Sequence, residues 1–310
     1  MDIQQQNRLS SKAPFKKSLF FVLFLIGTLL APDQTHADEC YSCDPCCEDM
    51  LCIDSLYLTL RHIDPRGIGY DKGYTTLEAL YFPCLDNACF HPFIDVRGHV
   101  FNDNEYAANA GVGVRYLPDP CCNWVYGVNV FYDYRSDHDR KLHFHQMGVG
   151  IEVLNDCCFD IRVNGYFPIT TQKLVQRCTF DDFDGDFFME RKRYQNAFIG
   201  GNLEVGVPIC TCWCWLDFYV AGGPYYYERD CEDTFGGQVR LDAYICGCFR
   251  LGAMVSHDRL FNTRVQGVIS YTFPLGGTCV NDCGQCNVIR QVHRNEIIVL
   301  DEFCNWDWNF

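Results

Sequence analysis

Alternation of apolar and polar residues at every second position dominates the stretch from residue 106 to residue 169. Within 124–134, one side of the alternation is apolar or aromatic, and the other holds small or polar residues. The first side comprises Trp124, Tyr126, Val128, Val130, Tyr132 and Tyr134, and the second includes Gly127, Asn129 and Asp133. A period of two indicates β-strands rather than helices. Because the polar faces carry full charges, such strands fit either a soluble sandwich or a membrane barrel with a wet lumen.

The same alternation continues along most of the chain and predicts twelve strands. They are predicted at 53–62, 72–82, 90–101, 106–117, 123–134, 143–154, 158–169, 194–207, 214–227, 237–246, 248–257 and 263–273. A tilted strand needs about 9–11 residues to cross a bilayer, whereas soluble strands are about half as long. The even number of strands and the alternation of short and long joints between them favour the pairing of each strand with its neighbours in the sequence. The predicted fold class is therefore all-β, a twelve-stranded antiparallel up-and-down transmembrane β-barrel over residues 53–277.

The first 37 residues have the features of a secretory signal peptide. Three lysines precede an apolar run from Ser18 to Ala31, and small residues at Thr35 and Ala37 fit a cleavage position. The apolar run is too short for a comfortable helical membrane span. We therefore expect a cleaved signal over 1–37 and a location in a bacterial outer membrane, with an uncleaved anchor as the alternative.

Cysteine is the outlier in the composition, with 22 residues, which favours an oxidising compartment. Residues 38–52 form a cysteine-rich periplasmic head, for which disulfides are favoured over a zinc site. Most other cysteines lie at the joints that face the periplasm if the first strand starts there. The disulfide candidates are Cys84, Cys89, Cys121, Cys122, Cys157, Cys158, Cys210, Cys212, Cys214, Cys246 and Cys248. Cysteines gathered at one end of the barrel would either form disulfides within the protein or join it to disulfide-linked periplasmic envelope proteins.

Charged residues on the polar strand faces would line the lumen of such a barrel. The candidates are Glu78, Arg97, Arg115, Asp133, Glu152, Arg162, Glu204, Arg240, Arg250 and Arg264. Charges of both signs indicate hydrated, ion-paired packing, and in a porin they would tune ion selectivity. For any single residue we expect a packing role rather than a chemical one.

Other function classes have little support in the sequence. The net charge of −15 argues against nucleic acid as a partner. A hydrolase is a weaker hypothesis, because His138, His143 and His145 stand near Asp137 and Asp139 and could supply a base at a barrel mouth. His143 and His145 could also share a metal ion. No phosphate-binding loop, serine-hydrolase motif or dinucleotide motif is present, so we expect neither a cofactor nor enzymatic activity.

Several segments resemble a known family. GVGVRYL, WVYGVNVFYDYR, MGVGIEVL, FDIRVNGYFPI and VQGVISYTFPLG are similar to the β-domain of inverse autotransporters of the intimin and invasin type, and QVHRNEIIVLDE is similar to the segment that follows that barrel. The similarity covers roughly residues 53–302. It implies a twelve-stranded outer-membrane barrel, inserted by the barrel-assembly machinery into outer-membrane lipid, with a periplasmic N-terminus. In the family the following segment returns through the lumen and leads an adhesin passenger to the surface.

The tail over residues 278–310 is long enough to cross the lumen, since an extended chain spans about 3.3 Å per residue. It would then plug the pore, whereas a tail left in the periplasm would leave the pore open. We expect a cysteine-rich, passenger-less member of the family with a structural, surface-interaction or adhesion-related role, which could involve a host surface ligand. A general porin or channel is the alternative.

Overall fold

The computed structural model describes residues 55–83, 89–118, 124–137, 140–155, 159–184, 187–209, 215–229, 232–275 and 289–309. The predicted signal peptide and cysteine-rich head lie outside these residues. Within the described ranges, no helix is long and apolar enough to cross a membrane.

The described residues form fifteen strands. In chain order they are β1 (Ser55–Pro65), β2 (Tyr74–Phe82), β3 (Phe90–Phe101), β4 (Tyr106–Tyr116), β5 (Trp124–Asp137), β6 (Leu142–Asn155), β7 (Asp160–Pro168), β8 (Gln172–Asp184), β9 (Phe187–Ala197), β10 (Ile199–Ile209), β11 (Leu216–Arg229), β12 (Glu232–Ile245), β13 (Phe249–Asp258), β14 (Asn262–Leu275) and β15 (Leu300–Asn309). Twelve of them close a barrel in the order β1-β14-β13-β12-β11-β10-β7-β6-β5-β4-β3-β2. The pairs are antiparallel, including β1 with β14, which completes the ring. The predicted twelve-stranded antiparallel barrel is confirmed.

The alternation sends side chains in turn to the outside and to the lumen. On β6, Ile151 is 61% exposed while the neighbouring Glu152 is 3% exposed. On β4, Val112 is likewise exposed and Arg115 is completely buried. The barrel therefore presents its apolar face outward and its charged face inward, which is the arrangement of a membrane barrel rather than of a soluble sandwich.

The two ends of the barrel differ in their connections. At one end, which we call the cysteine rim, the strands are joined at 83–89, 117–123, 156–159, 210–215 and 246–248. At the other, which we call the hairpin rim, they are joined at 66–73, 102–105, 138–141, 169–198, 230–231 and 259–261. Aromatic pairs flank the cysteine rim on the outward face, with Phe90 against Tyr116 and Trp124 against Phe159. Amphipathic rings at this level fit the headgroup region of a bilayer.

The twelve predicted strands leave residues 170–193 as a long loop, and that expectation is wrong. The hairpin β8–β9 fills most of that interval, and β15 pairs with it in a three-stranded sheet of order β15-β9-β8. The pairing of β15 with β9 runs from Leu300 opposite Ala197 to Asn309 opposite Phe188. The register of β8 shifts twice along its length, so β8 lacks the regular alternation by which the barrel strands are recognised.

The strand β11 contains a proline in its interior, where a proline cannot donate to the ladder. The ladder with β10 is interrupted there: it runs to Asn202 opposite Tyr225 and resumes at Val205 opposite Gly222. A Cβ added to the intervening Gly223 would lie 2.0 Å from the carbonyl oxygen of Leu203. Glycine is therefore required at position 223, because the backbone of β10 approaches it too closely for a side chain.

We predict that Gly223→Ala lowers the free energy of unfolding by about 1–3 kcal/mol, because the added methyl group must push the β10 backbone away. Urea titration of the purified barrel measures the change. The matched control is Gly98→Ala on β3, where an added Cβ meets nothing within 4 Å and we expect a change of less than about 0.5 kcal/mol. Equal destabilisation by the two substitutions would contradict the close approach.

Candidate functional site

Residues 289–299, which we call the lumen segment, run through the inside of the barrel. Ile289 and Val292 pack in a cluster with Leu117 and Leu154, close to the cysteine rim. At the other end, Ile298 packs with Phe144 near the hairpin rim. The segment therefore spans the lumen from one rim to the other, and its contacts with the wall define the candidate site.

A carboxylate on the wall fixes the lumen segment near the cysteine rim. Asp160 accepts hydrogen bonds from Arg290 at 2.9 Å, from Arg162 at 3.0 Å and from the hydroxyl of Tyr219 at 2.8 Å. Arg115 donates to the backbone oxygen of Arg290 at 2.6 Å. Asp160 is completely inaccessible to solvent, so it depends on these donors to offset its lost hydration.

An arginine of the segment forms the next contact along the lumen. The two terminal nitrogens of Arg294 donate to the two oxygens of Asp133 on β5 at 2.7 and 2.6 Å. The guanidinium also lies over the rings of Phe131, at 4.4 Å, and Tyr166, at 5.5 Å. Bidentate geometry and aromatic stacking are the interactions for which arginine is better suited than lysine.

A glutamate of the segment lies two residues further on. The carboxylate of Glu296 accepts from Arg61 at 2.5 Å, from Arg97 at 3.1 Å and from the hydroxyl of Tyr74 at 2.8 Å. The side-chain amide of Asn109 donates to its backbone oxygen at 2.9 Å. Four strands, β1 to β4, thus converge on this one residue.

The contacts continue to the hairpin rim and into the three-stranded sheet. Arg135 donates to the backbone oxygen of Ile298 at 2.8 Å, and the amide of Phe198 donates to the backbone oxygen of Val299 at 3.1 Å. Beyond the rim, Arg229 of β11 contacts Asp301 of β15 at 3.0 Å. The path of the segment is therefore continuous with the first residues of β15.

The lumen-lining candidates lie on the inward face. Nine of them are buried, namely Glu78, Arg97, Arg115, Asp133, Glu152, Arg162, Glu204, Arg240 and Arg250. Arg264 is only half-buried, because it lies at the hairpin rim and pairs with the exposed Asp71. Arg97, Arg115 and Asp133 contact the lumen segment.

A second group of charges joins wall to wall. Arg240 contacts Glu204 at 3.0 Å and Asp242 at 2.6 Å, and Asp242 also accepts from Arg250 at 2.8 Å. Between these strands and the lumen segment a cavity of about 120 Å³ remains. Removing one partner from a buried ion pair typically costs about 3–5 kcal/mol, so the two charge networks hold the lumen in one arrangement.

Two carboxyl groups at the hairpin rim have raised pKa values. Burial raises the pKa of Glu105, and Arg135 opposes this shift. Burial also raises the pKa of Asp301, against the attraction of Arg229. As the pH falls, these two carboxylates are therefore protonated before ordinary surface carboxylates are, and their ion pairs are lost at a higher pH.

Among the described residues, the histidines and the aspartate considered for a hydrolytic or metal site do not come together. His143 and His145 contact the hydroxyl groups of Tyr134 and Tyr132 on the outward face. Asp137 is buried on the inward side and accepts from Arg140. His138 and Asp139 lie outside the described residues, and within the described part of the chain no group of three acidic, histidine or cysteine residues is placed to hold a metal ion.

Three of the disulfide candidates lie in the described part of the chain. Cys246 carries an exposed free thiol in the tight turn between β12 and β13. Cys248, two residues on, is disulfide-bonded, and Cys89 is half-buried at the start of β3. Cys84, Cys121, Cys122, Cys157, Cys158, Cys210, Cys212 and Cys214 lie outside the described residues. The disulfide-rich rim therefore stays a prediction.

Residues 93–184, which extend from β3 to β8, match the family model of the inverse autotransporter β-domain. The match spans 92 of the 310 residues, and over that part the chain is similar to the inverse autotransporter β-domain. The match includes the block in which the alternation is clearest, and it contains Arg97, Asn109, Asp133 and Asp160, all of which contact the lumen segment. The closed barrel and this match together indicate an outer-membrane barrel, and the matched family is one of translocators.

Solved structures show a similar architecture. This chain is similar to a chain from a structure described as "Unveiling the Mechanism Behind the in-meso Crystallization of Membrane Proteins", with 17% identity and a TM-score of 0.56, over 81% of this chain and 100% of that chain. At this identity the likeness concerns the fold alone. The β-domain of the Bordetella autotransporter Brka matches with 8% identity and a TM-score of 0.35, over 71% of this chain and 98% of that chain. A TM-score this low supports no conclusion.

Proposed function

We propose that this chain is a surface-display barrel whose lumen is filled by its own lumen segment, and which holds the sheet β15-β9-β8 at the cell surface as an interaction element. The observation that carries the proposal is the continuous series of contacts from Arg290 to Val299. A segment held at both rims and in between serves as a plug and as a tether for whatever follows it.

The asymmetry of the two rims supports one orientation, because the longest joint, 169–198, lies at the hairpin rim. Outer-membrane barrels have short periplasmic turns and longer extracellular loops. The cysteine rim would thus face the periplasm, where thiols can form disulfides within the protein or to envelope proteins. The hairpin rim, with the three-stranded sheet, would face outward, where it could meet a host surface ligand in an adhesion-related role. Outer-membrane lipid and the barrel-assembly machinery are the further partners that this function requires.

We predict that the intact protein gives no stepwise ion current in a planar lipid bilayer, because the lumen segment and its ion pairs occupy the pore. Deletion of residues 289–310 removes the plug and should produce discrete open-channel steps. Single-channel recording of both proteins makes the comparison. The matched control deletes residues 300–310 alone, which removes β15 but keeps the lumen segment, and we expect it to stay closed.

An open channel in the intact protein would overturn the display proposal in favour of a porin. A protease-sensitive tag placed after Phe310 adds a test of direction. The tag should be cleaved on intact cells, whereas protection would invert the assigned orientation.

A further inference from the structure

Ten residues, Ile289 to Ile298, carry the lumen segment from one rim to the other, so its path is stretched, with bends at Arg294 and Ile297. Arg290 lies opposite Arg115 of β4, and Glu296 lies opposite Asn109 of the same strand, through the contacts to their backbone oxygens. Arg290 and Glu296 are six residues apart in the sequence, and so are their partners Asn109 and Arg115. The segment therefore advances along the lumen about as fast per residue as the strand beside it, which is about 3.3 Å per residue.

Opposite charges follow one another along this extended path. Arg294 meets the carboxylate of Asp133, and Glu296 meets the guanidinium groups of Arg61 and Arg97. Each of these wall residues is at least nine-tenths buried. Because the wall is a closed ring of paired strands, the order of its charges is fixed, and the segment must match that order.

A shift of the segment by two residues would break the match in either direction. Moving outward by about 7 Å would bring Arg294 against Arg61 and Arg97, and would leave Asp133 without a counter-ion. Moving inward by the same distance would bring Glu296 against Asp133. Both shifts place like charges together away from water, where their repulsion is poorly screened.

A shift by one residue would also break the contacts of the residue between the two charges. Asn295 donates from its backbone amide to the hydroxyl of Tyr166 at 2.7 Å, and from its side-chain amide to the hydroxyl of Tyr227 at 3.0 Å. A one-residue shift would break both bonds and move Arg294 and Glu296 away from their counter-ions on the wall.

We propose that Arg294 and Glu296 are positioning residues that encode a single stopping register for the segment in the lumen, and that this register decides whether β15 meets β9. The inference rests on the proposed display function and deepens it. Leu300 pairs with Ala197 only four residues after Glu296, so a shift inside the barrel would displace every pair of β15 with β9 in the sheet β15-β9-β8, which we call the outer sheet.

Amide hydrogen exchange of the full chain in detergent micelles tests the register. The first variant is the swap R294E/E296R, which preserves composition and net charge but reverses the order. We expect the protection of residues 300–309 to fall by at least about tenfold, while that of β3 to β6 is kept as an internal measure of barrel folding. R259E, at an exposed position of the loop between β13 and β14, is the control and should match the unmodified protein.

A second set of variants covers a swap protein that does not fold. R294E and D133R each place like charges together, and D133R/R294E restores an opposite pair at the same point. Protection of 300–309 in the double variant above that in either single variant supports the register, and no recovery overturns it. In a folded swap variant, unchanged protection of 300–309 also overturns it.

The proposed function and the register fail separately. If the intact protein forms an open channel, the proposed plug is wrong. If the intact protein is closed but the swap variant keeps its outer sheet protected, only the proposed register is wrong.

Discussion

Asp160→Ala should leave the barrel unable to reach its folded form under conditions in which the unmodified protein folds. Three donors from β7, β11 and the lumen segment converge on this carboxylate, and the backbone amide of Asn155 also donates to it, at 2.9 Å. Without the carboxylate, Arg290 loses its ion pair at 2.9 Å, and Arg162 is left with the more distant Glu204, at 3.4 Å. The expected loss is about 3–5 kcal/mol or more, and refolding into lipid vesicles, followed by the shift between folded and heat-unfolded bands on a gel, measures it.

Asp71→Ala is the matched control for this substitution. It removes the same chemical group from an ion pair, but Asp71 is 77% exposed and pairs with Arg264 at the hairpin rim. An exposed pair contributes at most about 1 kcal/mol, so we expect nearly normal folding. Normal folding of the Asp160 variant would show that the carboxylate does not hold the lumen together.

Ile151→Arg should reduce insertion strongly, because Ile151 lies on the outward apolar face of β6, opposite Val163 near the middle of β7. Its neighbours across the ladder are Val128 and Val163, which are also exposed. An arginine on the lipid face near the middle of a bilayer costs about 2–4 kcal/mol in a membrane barrel. The fraction of folded protein in urea-titrated vesicles measures the change.

The control for this substitution is Asp103→Arg, in the exposed turn between β3 and β4. The turn lies at the hairpin rim, outside the strands, so the same new side chain should remain in water and change stability by less than about 1 kcal/mol. If Ile151→Arg were equally mild, the outward face would not be in contact with lipid.

The barrel itself could be predicted from the sequence because the same alternation of apolar and polar residues recurs in strand after strand. Each strand is long enough to show several alternations, and the closed ring obliges every strand to keep one face in lipid and one in the lumen. The predicted segment at 90–101 coincides with β3, and the one at 143–154 lies within one residue of β6 at both ends. The nine buried lumen candidates follow from the same rule.

The outer sheet could not be predicted in this way. Its strands are not part of the closed barrel, so barrel closure imposes no period of two on them, and β8 carries two register shifts. The basic run from Arg191 to Arg193 within β9 suggests a solvated loop when it is considered alone. Pairing with β15, far away in the sequence, holds these residues in a strand.

Only part of the arrangement of the lumen segment could be predicted from the sequence. Its length allowed it to cross the barrel, but whether it entered depended on charges that lie far away in the sequence. The order of Arg290, Arg294 and Glu296 was visible, yet their partners on β1, β3, β5 and β7 could be assigned only once the ring had closed. Arg264 shows the converse, since its inward direction was predictable but its position at the rim was not.

The most distant contact of the lumen segment has a consequence for the order of folding. Glu296 bonds Arg61, which lies 235 residues earlier, and the intervening chain contains every strand from β2 to β14. Contacts so far apart in sequence are slow to form, because most of the chain must be ordered before they can. We therefore expect residues 289–309 to dock last, after β14 has paired with β1, and to remain accessible to proteases until then. A docked tail marks a finished barrel, and degradation can remove the unfinished ones.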